Sequence, residues 1–230
     1  GRYTVAKCGA WSQGPVMLQQ LSLLKSMGIA DMDPTGPDFV HAVTETSKLS
    51  YADREAYYGD PDFVDVPMET LLSDAYAESR RALVGKDASD AFIAGTIEGY
   101  SNNISHSLLP HAQDISGAGM GVGEPTVGKM GEARGDTVHI DIIDKHGNMV
   151  SATPSGGWLQ SSPIIPELGF CLGNRAQMFW LEEGSPSTLA PGKRPRTTLS
   201  PSFALRDGEA YMPFGTPGGD QQDQWSLLLF

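Results

Sequence analysis

Three stretches of this sequence place nucleophilic or charge-binding groups where acyl chemistry could use them. Thr137 opens a β-rich run directly after a glycine-rich segment. In mid-chain its hydroxyl has no base beside it and its nitrogen is an amide. Cleavage of the Asp136–Thr137 bond would free an α-amino group with a pKa of roughly 7.7–8.0, suited to taking the hydroxyl proton near neutral pH. Uncleaved, Thr137 is one more β-branched strand residue. The second stretch is Gly215-Thr216-Pro217-Gly218-Gly219, ahead of a helix expected over 220–230. Backbone N–H groups there, unobstructed by a Cβ, can receive the charge of a tetrahedral oxyanion, although the same residues also make a plain turn and cap. The third is Lys193-Arg194-Pro195-Arg196-Thr197-Thr198-Leu199-Ser200-Pro201. Its two adjacent hydroxyls suit a carboxylate, and its basic cluster either steers one inward or is a solvated turn.

The elements that must position these groups change along the chain. Residues 14–84 carry helical periodicity in three segments. The first starts at Gly14-Pro15 and stops at Gly28; the second holds Phe39 to Tyr57 and stops at Gly59-Asp60-Pro61; the third starts near Pro67, with Arg80 and Arg81 in its last turns. Polar residues on all three predict packing on one side only. Between Gly117 and Asp136, seven of twenty residues are glycine, and no period survives, which predicts an exposed irregular stretch. Two hairpins follow: 137–143 with 148–153, and 202–205 with 210–214 across Arg206-Asp207-Gly208-Glu209. In the first strand Val138, Ile140 and Ile142 share a face. Helices followed by hairpins predict a layered α/β (α+β) fold.

Composition narrows the function classes. The 230 residues hold 16 Lys and Arg against 28 Asp and Glu, a net charge of −12, which argues against nucleic acid or an anionic membrane as a charge-driven partner. Residues 137–230 hold six basic and nine acidic side chains, leaving ten and nineteen for residues 1–136, so the acidity sits before Thr137. No apolar run reaches the length of a membrane span. Cys8 and Cys171 are too few for a disulfide scaffold or zinc cage and read as small buried hydrophobes. His106 and His111 lack metal-ligand spacing and read as solvated loop residues, and His139 reads as structural. No metal or organic cofactor is expected. Both ends, Gly1 and the apolar run Leu227 to Phe230, read as cuts through continuing structure.

Taken together, the motifs resemble one family. Tyr51-Ala52-Asp53-Arg54, then Gly59-Asp60-Pro61-Asp62-Phe63-Val64 and Val66-Pro67, resemble the large-subunit signature of the γ-glutamyltransferases, also called glutathione hydrolases. The run from Thr137 to Asn148 is similar to the start of their small subunit, and the Lys193–Pro201 run and Pro217-Gly218-Gly219 continue the match in order. The resemblance implies an N-terminal-nucleophile hydrolase, an αββα sandwich of which this chain is part. Residues 1–136 would be the end of the large subunit and 137–230 the start of the small catalytic subunit, made from one precursor by self-cleavage. It implies Thr137 as nucleophile, Ser155 as the hydroxyl that holds its amino group, Gly218 and Gly219 as the oxyanion hole, and Thr197 and Thr198 as the substrate-carboxylate site. The substrate would be a γ-glutamyl amide such as glutathione, and the acceptor water, an amine or a peptide.

Departures from that pattern bear on the substrate. Gly157 replaces a substrate-binding Asn, and Met178 falls where the family has the acidic partner of the substrate ammonium, with Arg175 nearby; Glu182 or Glu183 is a candidate replacement. Loss of a desolvated charge partner is costly. A substrate with a carboxylate and no amino group, as for glutaryl or cephalosporin acylases, is the alternative, and a non-catalytic homologue is a third. The compartment stays open between the cell interior and exterior.

Overall fold

In the computed structural model, residues 2–104, 137–156 and 162–230 are described. Gly157, His106 and His111, with the whole glycine-rich stretch 117–136 and so Asp136, lie outside them. The elements run β1 (Tyr3–Lys7), α1 (Gly14–Leu24), α2 (Pro37–Tyr57), α3 (Met68–Leu71), α4 (Asp74–Arg81), β2 (Ile140–Ile143), β3 (Met149–Ala152), β4 (Ile164–Ile165), β5 (Phe170–Cys171), β6 (Ser202–Arg206), β7 (Glu209–Phe214) and α5 (Gln221–Leu229), with short 3-10 turns at Ile29–Asp31 and Arg175–Met178.

A three-stranded antiparallel sheet in the order β1-β6-β7 organises the fold. β6 and β7 join through Asp207 and Gly208, both with positive φ (53° and 86°), the twist a tight two-residue hairpin needs. The middle strand β6 is bracketed by β7 and by β1, and β1 was not anticipated as a strand. Its Tyr3-Thr4-Val5-Ala6-Lys7 is five residues with no partner nearby in sequence; the partner, Ser202–Arg206, arrives almost two hundred positions later. On the sheet, Met17 and Leu24 of α1, Ala42 of α2 and Leu227 of α5 pack with Ala204 and Phe214. Leu227 is therefore core, although Leu228 and Leu229 beside it are exposed. A second cluster joins Val16, Tyr51, Tyr57, Tyr58, Leu71 and Tyr76 between the helices.

The helices depart from the sequence reading in three places. The first ends at Leu24, short of Gly28, where Arg81 donates to the Leu23 and Ser22 carbonyls at 2.7 and 2.9 Å and so satisfies its C-terminus from outside. The third breaks into α3 and α4, because Ser73 caps the second piece by accepting from the Tyr76 N–H at 3.2 Å. In α2 the expectation of one buried side fails outright: Ser50 to Tyr57 are all buried, charged residues included.

The β2–β3 hairpin pairs Ile140–Ile143 with Met149–Ala152 and lies against β7 and β6. Asp144 builds its turn, accepting from the His146 and Asn148 N–H groups at 2.8 and 2.9 Å. Two short elements, β4 and β5, form a further hairpin that composition did not signal. Cys8 and Cys171 are free and only half-buried, so neither is the core hydrophobe expected of it. No helix among the described residues is long and apolar enough to cross a membrane.

Candidate functional site

Thr137 stands just ahead of β2, and its Oγ1 lies 2.8 Å from the Ser155 Oγ, just beyond β3. The hairpin pairing brings the two hydroxyls together across eighteen residues; the backbone bond from the Val138 N–H to the Pro154 carbonyl, 3.1 Å, closes the pair. Two residues on, His139 is fixed at both ring nitrogens, to Thr153 Oγ1 at 2.8 Å and to Asp141 Oδ2 at 2.6 Å. The Asp141 carboxylate only accepts, so in the neutral ring Nε2 carries the proton and Nδ1 accepts from Thr153. The face of this ring packs on Gly215, where any Cβ would fall inside the imidazole. His139 is thus structural in the expected sense, and it docks the Thr137 strand against the loop that leads to Gly218.

That loop turns through two consecutive glycines with positive φ, 121° at Gly218 and 42° at Gly219, before α5 begins. A Cβ on Gly218 would meet the Trp225 ring at 2.5 Å, so both backbone conformation and space demand glycine. Gly219 is tied across the molecule: Gln13 Nε2 donates to its carbonyl at 3.4 Å, while the Gln13 N–H donates to the Thr197 carbonyl at 3.0 Å. One residue just ahead of α1 therefore touches both the glycine turn and the threonine pair. The Thr197 N–H donates in turn to the Trp11 carbonyl at 3.2 Å, which fixes this segment beside residues 11–13.

The two threonines are not equivalent. Thr197 Oγ1 accepts from the Leu199 N–H at 3.1 Å and keeps its own proton to donate. Thr198 Oγ1 is buried and has no partner among the described residues. A buried hydroxyl left in that state costs about 1–3 kcal/mol, a debt a ligand oxygen would relieve.

The basic cluster also has partners that neither reading named. Arg194 bonds Asp60 and Asp62 at 2.9 and 2.8 Å, and Arg196 bonds Glu55 at 2.6 Å while stacking over Trp180. Lys193 donates to the Thr188 carbonyl. The two arginines are paired with acidic residues from before Thr137, so they join the two parts of the chain. Arg194 makes its pairs at the surface, with half of its side chain exposed, while Arg196 makes its pair in the interior. Hydrogen bonds from Arg194 and Asp62 amides hold the Asp60 carboxyl below the ordinary carboxylate range, outweighing the desolvation that pushes it up.

Arg175 and Met178 share a short 3-10 turn. Met178 is 4% exposed. Arg175 Nε lies 3.2 Å from the place a Cβ would take on Gly156, next to Ser155, and burial pushes its guanidinium down to about 10. Glu182 is half-buried and Glu183 exposed, and with Asn102 and Phe92 they line a cavity of about 370 Å³ that Thr137 does not border. Two further cavities, of about 480 and 490 Å³, lie between α2 and α5 and beside Phe63. None of these three includes Thr137, Thr198 or the glycine pair; a small cavity of about 10 Å³ is lined by Gln13, Arg54, Arg196, Thr197 and Thr198, and bonds and packing connect Thr137 and the glycine pair to it stepwise. Sequence reasoning missed Gln13 and Asp220, and took Arg54 only as part of a signature. Nothing in their spacing sets them apart from an ordinary loop residue, an ordinary helix cap and an ordinary helical arginine.

Comparison with known proteins places this arrangement. A profile described as Gamma-glutamyltranspeptidase matches residues 1–230. The chain is 30% identical over 208 residues to the Acylase ACY 1 proenzyme of Pseudomonas sp. (strain SE83), covering 90% of this chain and 31% of that one. It is also 30% identical over 211 residues to the Glutathione hydrolase proenzyme of Bacillus subtilis subsp. natto, covering 90% and 33%. Among solved structures, LmbA2991HD is similar with a TM-score of 0.75 at 48% identity, over 99% of this chain and 36% of that one. The cephalosporin acylase from Bacillus halodurans has a TM-score of 0.72 at 26% identity, over 98% and 34%. The chain spans about a third of the length of these relatives. Its mixed α and β layers are those of an N-terminal-nucleophile hydrolase, and with a profile match along its whole length it belongs to the γ-glutamyltranspeptidase family.

Proposed function

We propose that this chain carries the processing point and much of the acyl site of a self-cleaving threonine amidohydrolase and acyltransferase. The observation that carries the proposal is the 2.8 Å bond between Thr137 Oγ1 and Ser155 Oγ at the head of a strand, in a chain of this family. The relatives named above as proenzymes support processing at Asp136–Thr137, which would make residues 1–136 the end of one subunit and 137–230 the start of the other.

The chemistry follows from the groups present. Cleavage frees the Thr137 amino group, which accepts the Oγ1 proton as the oxygen attacks the substrate carbonyl. Ser155 holds the nucleophile in register. The tetrahedral oxyanion is received by the N–H groups of Gly218 and Gly219, fixed backbone donors that need little reorganisation when charge develops. The leaving amine takes the proton, and water or a second amine then attacks the acyl-enzyme by the same route. Thr197 and Thr198 donate to the substrate carboxylate; for Thr198 this also satisfies a buried hydroxyl. No step calls for a metal or organic cofactor.

A γ-glutamyl amide such as glutathione is the first reading of the substrate. A second is favoured by one observation: where an ammonium partner would be expected, the chain has buried Met178 and the cation Arg175 beside Gly156. An acyl group with a carboxylate and no amine, such as glutaryl, meets no charge conflict there.

Mass spectrometry of the full-length protein tests the first claim. A new N-terminus at Thr137 is expected, absent in Thr137→Ala together with all acyl transfer; an uncut wild type of full activity refutes it. Hydrolysis of γ-glutamyl and glutaryl anilides by the processed enzyme then separates the two substrates.

A further inference from the structure

The glycine turn proposed as an oxyanion hole is not held by its own segment alone. Asp220, the residue after Gly219, occupies the cap position of α5, where an aspartate ordinarily accepts from its own helix. Here its side chain makes no cap bond. It reaches instead to Arg54 of α2, whose Nη1 lies 2.8 Å from Asp220 Oδ1 and whose Nη2 lies 3.4 Å from Oδ2.

Arg54 is 6% exposed and every one of its five donors has an acceptor. Nη1 also donates to Gln13 Oε1 at 2.8 Å, the same Gln13 whose Nε2 faces the Gly219 carbonyl. Nε donates to Glu55 Oε1 at 2.8 Å, and Nη2 bonds Glu55 as well. Glu55 in turn takes Arg196, the neighbour of Thr197. The Tyr51 ring stacks under the guanidinium at 4.7 Å, and its hydroxyl donates to the Asp220 carbonyl. From one buried guanidinium, then, two chains of bonds leave. One runs through Asp220 and Gln13 to the peptide that joins Gly219 to Asp220, and the other runs through Glu55 and Arg196 to the threonine pair.

We propose that Arg54 is a positioning residue that sets the Gly218-Gly219 amides and the Thr197-Thr198 hydroxyls in a common frame from the other side of the Thr137 junction. The planar fork is what the geometry uses: it spans Asp220, Gln13 and Glu55 at once, which the point charge of a lysine cannot. A misaimed amide forfeits transition-state stabilisation while leaving ground-state binding largely intact, so the residue acts on turnover. This rests on the acyl-transfer reading above, and the test separates the two.

The test uses the full-length processed protein and the anilide that the wild type hydrolyses better. Removing one oxyanion donor costs on the order of 100-fold in kcat in known cases, and Arg54→Met is expected to lower kcat by about that factor with KM changed less than about threefold. Arg54→Lys is expected to recover little of it. Asp220→Asn is expected to act in the same direction, and the double variant to be no worse than the poorer single one, as for residues that work as a unit. A loss confined to KM, full recovery by Lys, or additive losses would overturn the proposal. Hydrogen exchange of the peptide covering 215–223 gives a readout without turnover. Faster exchange in Arg54→Met than in wild type supports the clamp, and unchanged exchange refutes it even if the wild type proves inactive on every amide, the outcome that would sink the acyl-transfer reading alone.

Discussion

Where α5 meets β1 and β6, charged groups are buried and apolar ones enclose them; along the β2–β3 hairpin the apolar side chains stand in the open. Lys7 of β1 and Asp223 of α5 form a 2.8 Å ion pair with both side chains fully buried, and Ser200 donates to the same carboxylate at 2.7 Å. Asp53 of α2 is buried against Arg80 and accepts from the Gly95 N–H at 2.8 Å. In contrast, Val138, Ile140, Ile142 and Val150 are each roughly half exposed, Ile142 at 55%. The hairpin that carries Thr137 owes little to burial of its own, and its position is set by the bonds and the few contacts it makes to β7. Buried charges paired in this way specify one arrangement at a high cost for any missing partner, even though Asp223 Oδ2, Gln222 Nε2 and Ser226 Oγ have no hydrogen-bond partner among the described residues. The seam is therefore the rigid reference of the site, and the hairpin is docked onto it.

The largest test of that contrast is Lys7→Met. It leaves Asp223 buried with only neutral donors, although burial already pushes this carboxyl above its ordinary range against the pull of Lys7. Breaking a buried pair costs about 3–5 kcal/mol, and urea unfolding of the variant should show a loss of that size. Lys7→Met with Asp223→Leu should recover most of it, since the penalty belongs to the unpaired charge. A single variant as stable as wild type would remove the seam's claim to be the reference.

The junction between the two regions is Gly215 on His139. A methyl group here must displace a ring anchored at both nitrogens, or shift the backbone ahead of the glycine turn. Overpacking of this kind costs about 1–3 kcal/mol. Gly215→Ala is expected to lose stability in that range, and to lose less when His139→Ala has already cleared the space. Equal losses in both backgrounds would show that the ring is not what holds the loop.

The contrast also explains how much of the fold and site the sequence revealed. The β2–β3 and β6–β7 hairpins, the helix after Gly219 and the nearness of Ser155 to Thr137 were legible because each is local or carried by a motif whose order is kept, although the bond seen joins the two hydroxyls rather than Ser155 and the Thr137 nitrogen. β1 was not, because a strand of five residues is defined by a partner two hundred positions away. The full burial of Ser50 to Tyr57 was also invisible: Asp53, Arg54 and Glu55 read as a polar face, and only the arrival of Asp220, Gly95 and Arg196 turns that face inward. The same distance hid the partners of Arg194 and Arg196, whose carboxylates lie more than a hundred residues earlier. Charge patterns predict solvation when their partners are unknown; long-range ion pairs are the information that a one-dimensional pattern lacks.

The smallest effect belongs to the hairpin face. Ile142 sits on β2 opposite Val150 with more than half its surface exposed. Replacing it by Thr keeps the β-branch, and with it the strand preference, while removing apolar surface that is mostly not buried. Substitutions of that kind usually fall within about 0.5 kcal/mol. In the 230-residue chain Ile142→Thr should therefore leave the unfolding midpoint almost unmoved, an order of magnitude below Lys7→Met. A loss of several kcal/mol would mean that this face is covered in solution, by a second copy or by the chain itself, and that the hairpin is held by its own core after all. The distinction matters for the nucleophile. If the face is open, the aim of Thr137 depends on Ser155, on His139 and on the seam behind them, and changes made far away at Arg54 or Asp223 will be felt at its hydroxyl.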